Sequence, residues 1–292
     1  MDQDFVKLRQ IKPAFAGYIS EAQKLLEPEF FPDEDTVHDV RVLMKKARAV
    51  LRMTSTQLNE AYAAREKIAL REVGRIMSAW RDTSVFRKTL KYLSKDHPDI
   101  FNKLVNNERI AGLMKKEKAA ELPQELMSGL QDIKEILNKS GFRTRFEPMN
   151  SFDASKLLIE LEVTYNKVVN IYVASRNNLR ENDLHEFRKR AKDFLYQLWF
   201  FRPLNPSIIK KLEKDLDSLT RNLGKYHDLA QLVSSIEYDY KNEHNDPALN
   251  ELAIIIRNKQ DQYLSKVWPV AYKIFCPGQK LVNILGFKLL VI

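Results

Sequence analysis

The chain has 292 residues, 44% of them hydrophobic and 10% aromatic, which is enough to bury a sizeable core in one large domain or two ordinary ones. Glycine occurs only 8 times and 30% of the residues are charged, so the chain is rich in helix formers and poor in residues that punctuate β-structure, which favours an all-α protein. Lys and Arg outnumber Asp and Glu by 48 to 39, and the net charge of +9 favours anionic partners.

The first residues, Met1-Asp2-Gln3-Asp4, offer neither the basic nor the apolar region of a signal peptide, and the single Cys276 excludes an internal disulfide. A cytoplasmic protein is therefore expected. Prolines cut the chain into helix-length pieces at Pro28 and Pro32, Pro98, Pro123, Pro148, Pro203 and Pro206, and Pro247. After Pro32, Val37, Val40, Met44, Ala47 and Leu51 recur at spacings of 3, 4, 3 and 4, the period of an amphipathic helix. The window 138–151 gathers Gly, Pro, Ser and Asn around the midpoint of the chain, and a linker is expected at about 141–150 between halves 1–140 and 151–292. Inside it Phe142, Thr144 and Phe146 alternate with Arg143 and Arg145, as in a short extended segment. Leu184, Phe187, Ala191, Phe194 and Leu198 predict another amphipathic helix, as do Leu212, Leu216, Leu219 and Leu223. The apolar run 281–292 is only 12 residues long, too short to cross a bilayer, and is expected to close the core.

Two pairs of motifs point to a tandem duplication. Val37-His38-Asp39-Val40-Arg41 with Lys45 recurs as Leu184-His185-Glu186-Phe187-Arg188 with Lys192 at an offset of 147. Trp80-Arg81-Asp82 recurs as Tyr226-His227-Asp228 at an offset of 146. Both offsets are close to half the chain length.

In the first copy His38, Arg41, Lys45, Arg48 and Arg52 are spaced 3, 4, 3 and 4, so five basic residues share one helix face. Each follows an apolar residue by one position, which rotates the basic face by about 100° from the core face instead of 180°. A groove wall has that placement; a fully solvated back does not. The second copy offers His185, Arg188, Lys189 and Lys192, and its stripe stops where Leu195 and Trp199 occupy the next turns. Neighbouring helices add Arg71 and Arg75 in one half and Lys214, Arg221 and Lys225 in the other. The first copy is therefore the richer and the expected centre of binding. Each histidine lacks a second metal ligand at suitable spacing, so no metal site and no cofactor are predicted. Asp82 and Asp228 read as helix N-caps, Asp228 with Gln231 at the capping-box position.

The segments VHDVRVLMKKARAVLR at 37–52, SAWRDTSV at 78–85, LHEFRKRAKDFL at 184–195 and LGKYHDLA at 223–230 together resemble the CHAD family, the conserved histidine α-helical domain. The resemblance covers essentially the whole chain. It implies one compact all-helical domain of two pseudo-symmetric four-helix bundles around a basic central cavity, binding inorganic polyphosphate at polyphosphate granules. By position, the family's pattern falls on His38, Arg41, Lys45 and Arg48 and on His185, Arg188 and Lys192. This chain departs from it at Leu195, where an Arg is usual, at Met77-Ser78, where Leu-Gly is usual, and at His227, which replaces an Arg.

A row of closely spaced cations suits a polymer with about one charge per phosphate, Arg giving forked donors and Lys a mobile charge. Non-enzymatic polyphosphate binding is therefore expected, with granule-associated proteins as further partners and with histidines that strengthen binding as pH falls through about 6.5. Nucleic-acid-backbone binding is the nearest alternative, although no helix-turn-helix, RNA-recognition or zinc-finger motif appears. A phosphohydrolase or phosphotransferase using His38 or His185 would need a carboxylate cluster or a P-loop, and the sequence has neither.

Overall fold

Asp33 opens the first of the stripe helices. Its side chain accepts a hydrogen bond from the Thr36 backbone N–H at 2.8 Å, with Glu34 and Asp35 in the positive first turn. Asn59, Asp153 and Asp246 cap later helices in the same way, and Pro98 and Pro247 take first-turn positions where a missing N–H costs nothing. The computed structural model describes residues 8–27, 31–80, 82–114, 124–149, 151–240 and 246–286. Every regular element among them is a helix: α1 (Ile11–Leu25), α2 (Glu34–Thr54), α3 (Glu60–Ala79), α4 (Asp82–Asp96), α5 (Pro98–Lys103), α6 (Glu108–Met114), α7 (Gln124–Phe146), α8 (Ala154–Asn178), α9 (Glu181–Phe201), α10 (Pro206–Tyr240), α11 (Pro247–Phe275) and α12 (Leu281–Leu285). The all-α expectation holds.

Helices α1, α2, α3 and α7 pack as one group and α8 to α11 as a second, with α2 and α9 as the main contact between them. The apolar positions read from the period, Val37 to Leu51 on α2 and Leu184 to Leu198 on α9, are all buried in one core that runs through both groups. Phe187 and Phe194 are fully buried there, each contributing about 2–3 kcal/mol of transfer free energy. Gln197 donates to the Ala49 carbonyl at 3.1 Å, which ties α9 to α2 directly. A satellite core of Leu90, Leu93, Ile100, Leu104 and Ile110 seats α4 to α6 against the far ends of α10 and α11.

Three local expectations are corrected. Helix α7 continues through Phe146, so 141–146 is helical and the connection to α8 is confined to residues beyond it. The alternation of Phe142, Thr144 and Phe146 is overridden by packing. Thr144 is buried, donates to the Ser140 carbonyl and meets the Tyr62 hydroxyl, while Arg143 pairs with the buried Glu66. Asp228 lies inside α10 and caps nothing, because the chain that breaks between α3 and α4 runs on as one helix at Tyr226-His227-Asp228. Arg81, Pro28, Pro123 and the side chain of Asp82 lie outside the described residues. Of the apolar tail, Leu281 and Leu285 join the core and α12 ends on Gly286 at φ +67°, a left-handed position that glycine takes without strain. Residues 287–292 lie outside the description. No helix among the described residues is long and apolar enough to cross a membrane.

Candidate functional site

Packing α2 on α9 brings the two basic stripes together. Between them, and completed by α3, α8 and α10, lies a cleft of about 780 Å³. Helix α2 contributes His38, Lys45, Arg48 and Arg52, α3 Lys67 and Arg71, α8 Lys167, α9 Arg188, Lys189, Arg190 and Lys192, and α10 Arg221 and Lys225. Of the first stripe, Lys45, Arg48 and Arg52 are half-buried lining residues, as the rotation of about 100° from the core face implies, whereas His38 lines the cleft from an exposed position.

The cleft concentrates positive charge. Twelve Lys and Arg line it against three acids, Asp193, Asp217 and Asp228, a surplus of nine. Among the described residues no acid besides these three lines it, and its surplus of nine matches in size the net charge of +9 of the full chain.

Its acids hold some of the cations. Asp193 pairs with Arg52 from α2 and, at 3.2 Å, with Arg190 of its own helix, so one carboxylate bridges both helical groups. Burial pushes the Asp193 carboxyl above the ordinary carboxylate range, against the pull of Arg52, Arg190 and Arg48. Asp217 accepts from Arg221 and, at 3.4 Å, from Lys192. Burial opposes ionisation of Asp217, but these partners prevail and hold it below its usual value. Burial, then the Arg52 guanidinium, and more weakly Arg71, push Arg48 below the ordinary arginine value while Asp193 opposes, and its buried Nε has no hydrogen-bond partner among the described residues. Burial likewise lowers Lys192, with Asp217 opposing. Cations desolvated and crowded in this way are ready to exchange mutual repulsion for an anionic ligand. Among the described residues Tyr196 is the one Phe, Tyr or Trp of the lining, and burial pushes its phenol up to about 12.

Of the residues expected from sequence, His38, Lys45, Arg48, Arg52, Arg71, Arg188, Lys189, Lys192, Arg221 and Lys225 line the cleft. Four do not. Arg41 donates to the Gly74 carbonyl at 3.0 Å and the Ser78 hydroxyl at 2.6 Å, lining with Arg75 a smaller pocket of about 230 Å³ that shares Lys45, Arg48 and Arg71 with the cleft. Arg75 itself is exposed and paired with Glu72. Lys214 faces a different cavity. His185 lies with its ring centroid 4.3 Å from that of His227, and burial, followed by His227, Lys189 and Arg188, pushes it down to about 4. The expected gain of His185 charge near pH 6.5 is therefore corrected: the folded ring stays neutral there. The sequence reading missed Lys67, one turn before Arg71 on the same face, which extending that stripe backwards would have found. It also missed Arg190 and Lys167. Lys167 comes from a helix with no basic stripe, so only tertiary packing reveals it. No group of three or more potential ligands for a metal ion occurs among the described residues.

Curated proteins give no match to the chain. The family model described as CHAD domain matches residues 14–236, from α1 to near the end of α10, and so includes both stripe helices and every described residue lining the cleft. The chain belongs to the CHAD domain family.

Proposed function

We propose that the protein binds inorganic polyphosphate in the basic cleft, without turning it over, and that this holds it at polyphosphate granules. The observation that carries the reading is the gathering of twelve Lys and Arg against three acids in one cleft. A polymer of phosphates needs many cations at close spacing and little else, and the lining offers Arg forks from α2, α3, α9 and α10 with mobile Lys heads between them. A nucleic-acid backbone is disfavoured because a single-stranded partner draws affinity from bases stacked on aromatic rings, and among the described residues Tyr196 is the one Phe, Tyr or Trp of the lining. The two helical groups are read as products of a tandem duplication, since α2 and α9 carry the repeated motif and each packs between the helix before it and the helix after it.

The test is titration with long-chain polyphosphate, single- and double-stranded DNA and ATP at two salt concentrations, with phosphate release followed in parallel. If about six phosphates are neutralised, log K for polyphosphate should fall against log salt with a slope near −4. Tighter binding of DNA, or phosphate release, would remove the proposal.

A further inference from the structure

A second cavity of about 730 Å³ opens between α1, α2, α9 and α10, on the side of α9 where the basic stripe stops. Its chemistry differs from that of the cleft. Leu195 and Trp199, which take the next two places of the stripe, share the lining with Tyr196 and with Tyr18 of α1. Arg9 lies over the Trp199 ring at 4.1 Å and Lys46 over the Tyr18 ring at 5.7 Å, so both rings are held in place. Four cations and three acids line the cavity, a near balance unsuited to a polyanion but open to a ligand with one or two negative charges. Lys210 and Lys214 stand one turn apart on α10 and form no ion pair among the described residues. Asp217, engaged by Lys192 and Arg221, belongs to both cavities and places a negative group between them.

Arg202 and Glu213 pair with each other in the cavity lining, yet Arg202 Nε and Glu213 Oε1 have no hydrogen-bond partner among the described residues. An alkyl anion would leave that donor and acceptor unmet. A planar ring bearing both donors and acceptors on its edge could meet them after a small side-chain adjustment while lying against the aromatic rings. The volume is that of a site for one small organic molecule. We propose that this cavity binds a nucleoside monophosphate, with the base among Tyr18, Tyr196 and Trp199 and the phosphate at Lys210 and Lys214. The proposal does not rest on polyphosphate binding by the cleft.

Calorimetric titration of the full chain with AMP, GMP, CMP and UMP tests it, with ribose 5-phosphate and decanoate as controls lacking the base or the whole nucleotide. A Cβ added at Gly17, in the cavity lining, would find no atom within 4 Å, so Gly17→Leu fills space and also replaces a helix glycine with a better helix former. Lys210→Glu with Lys214→Glu, both exposed, is the second variant. At least one nucleotide should bind saturably. Ribose 5-phosphate, and the same nucleotide on either variant, should be weaker by about tenfold or more, while Arg48→Glu in the cleft should leave nucleotide binding unchanged. Failure of all four nucleotides to bind, equal binding of ribose 5-phosphate or decanoate, or undiminished binding to the lysine variant would overturn the proposal. Polyphosphate titration of the same variants reads the cleft separately.

Discussion

Arg188 lies so close to Gly224 that a Cβ on that glycine would stand 3.1 Å from its Nε and 3.2 Å from its Nη2. In the first half the corresponding pair, Arg41 and Ser78, is joined by a hydrogen bond of 2.6 Å. The consequence is opposite in the two halves. Glycine lets the Arg188 guanidinium lie along α10 and line the cleft, whereas serine draws Arg41 toward α3 and out of the cleft lining. The cleft therefore depends on the second stripe more than its shorter length suggests.

Gly224→Ala should displace Arg188 by a few tenths of an ångström and weaken polyphosphate binding by about threefold to tenfold. Thermal stability should change little, because the helix gains about 0.5–1 kcal/mol from losing a glycine, which offsets the crowding. Titration and thermal denaturation of the same sample read the two effects. An unchanged affinity would show that Arg188 has no role in the cleft.

Asp193 joins Arg52 to Arg190 across the contact between the helical groups. Replacing it with Ala should cost about 1–3 kcal/mol by leaving two half-buried guanidiniums uncompensated, less than the roughly 3–5 kcal/mol of a fully buried pair because Arg52 is one-third exposed. Removing an acid from the cleft should at the same time tighten polyphosphate binding. Urea denaturation and titration should move in opposite directions, and a loss of both would mean that the bridge shapes the site more than it shields it.

His185 gives a pH dependence of defined sign. Its pKa falls from the ordinary 6.5 to about 4 on folding, first through burial and then through the His227, Lys189 and Arg188 charges. Above 6.5 the ring is neutral in both states. Between about 6.5 and 4 the unfolded chain takes up the proton first, so stability falls as pH drops through that window, by on the order of 1 kcal/mol once screening of this half-exposed ring is allowed for. His185→Gln should lose less melting temperature than the wild type between pH 7 and pH 5. Equal losses would place the effect elsewhere.

The sequence made the walls legible because apolar and basic residues one position apart on α2 and α9 fix both the buried face and its border. Local patterning could not show that Arg41 would turn to Ser78, that Lys167 would arrive from α8, or that Asp193 would bridge two helices far apart in the chain. Each depends on how helices dock. The same limit explains 141–146: its alternation suits a strand, but Thr144 and Arg143 find partners on α3 only as part of a helix. Asp228 misled as a cap because the break at Trp80 has no counterpart in α10.

If the cleft, and not bulk positive charge, binds polyphosphate, charge reversal inside and outside it must differ in effect. Reversing Arg48 and Arg188 to Glu should weaken binding by about a hundredfold or more and make the salt slope shallower by about 1.4. Reversing Arg65 and Lys95, both exposed and outside the cleft, changes the net charge equally and should weaken binding by less than about threefold. Equal losses in the two variants, with helicity intact, would contradict the account.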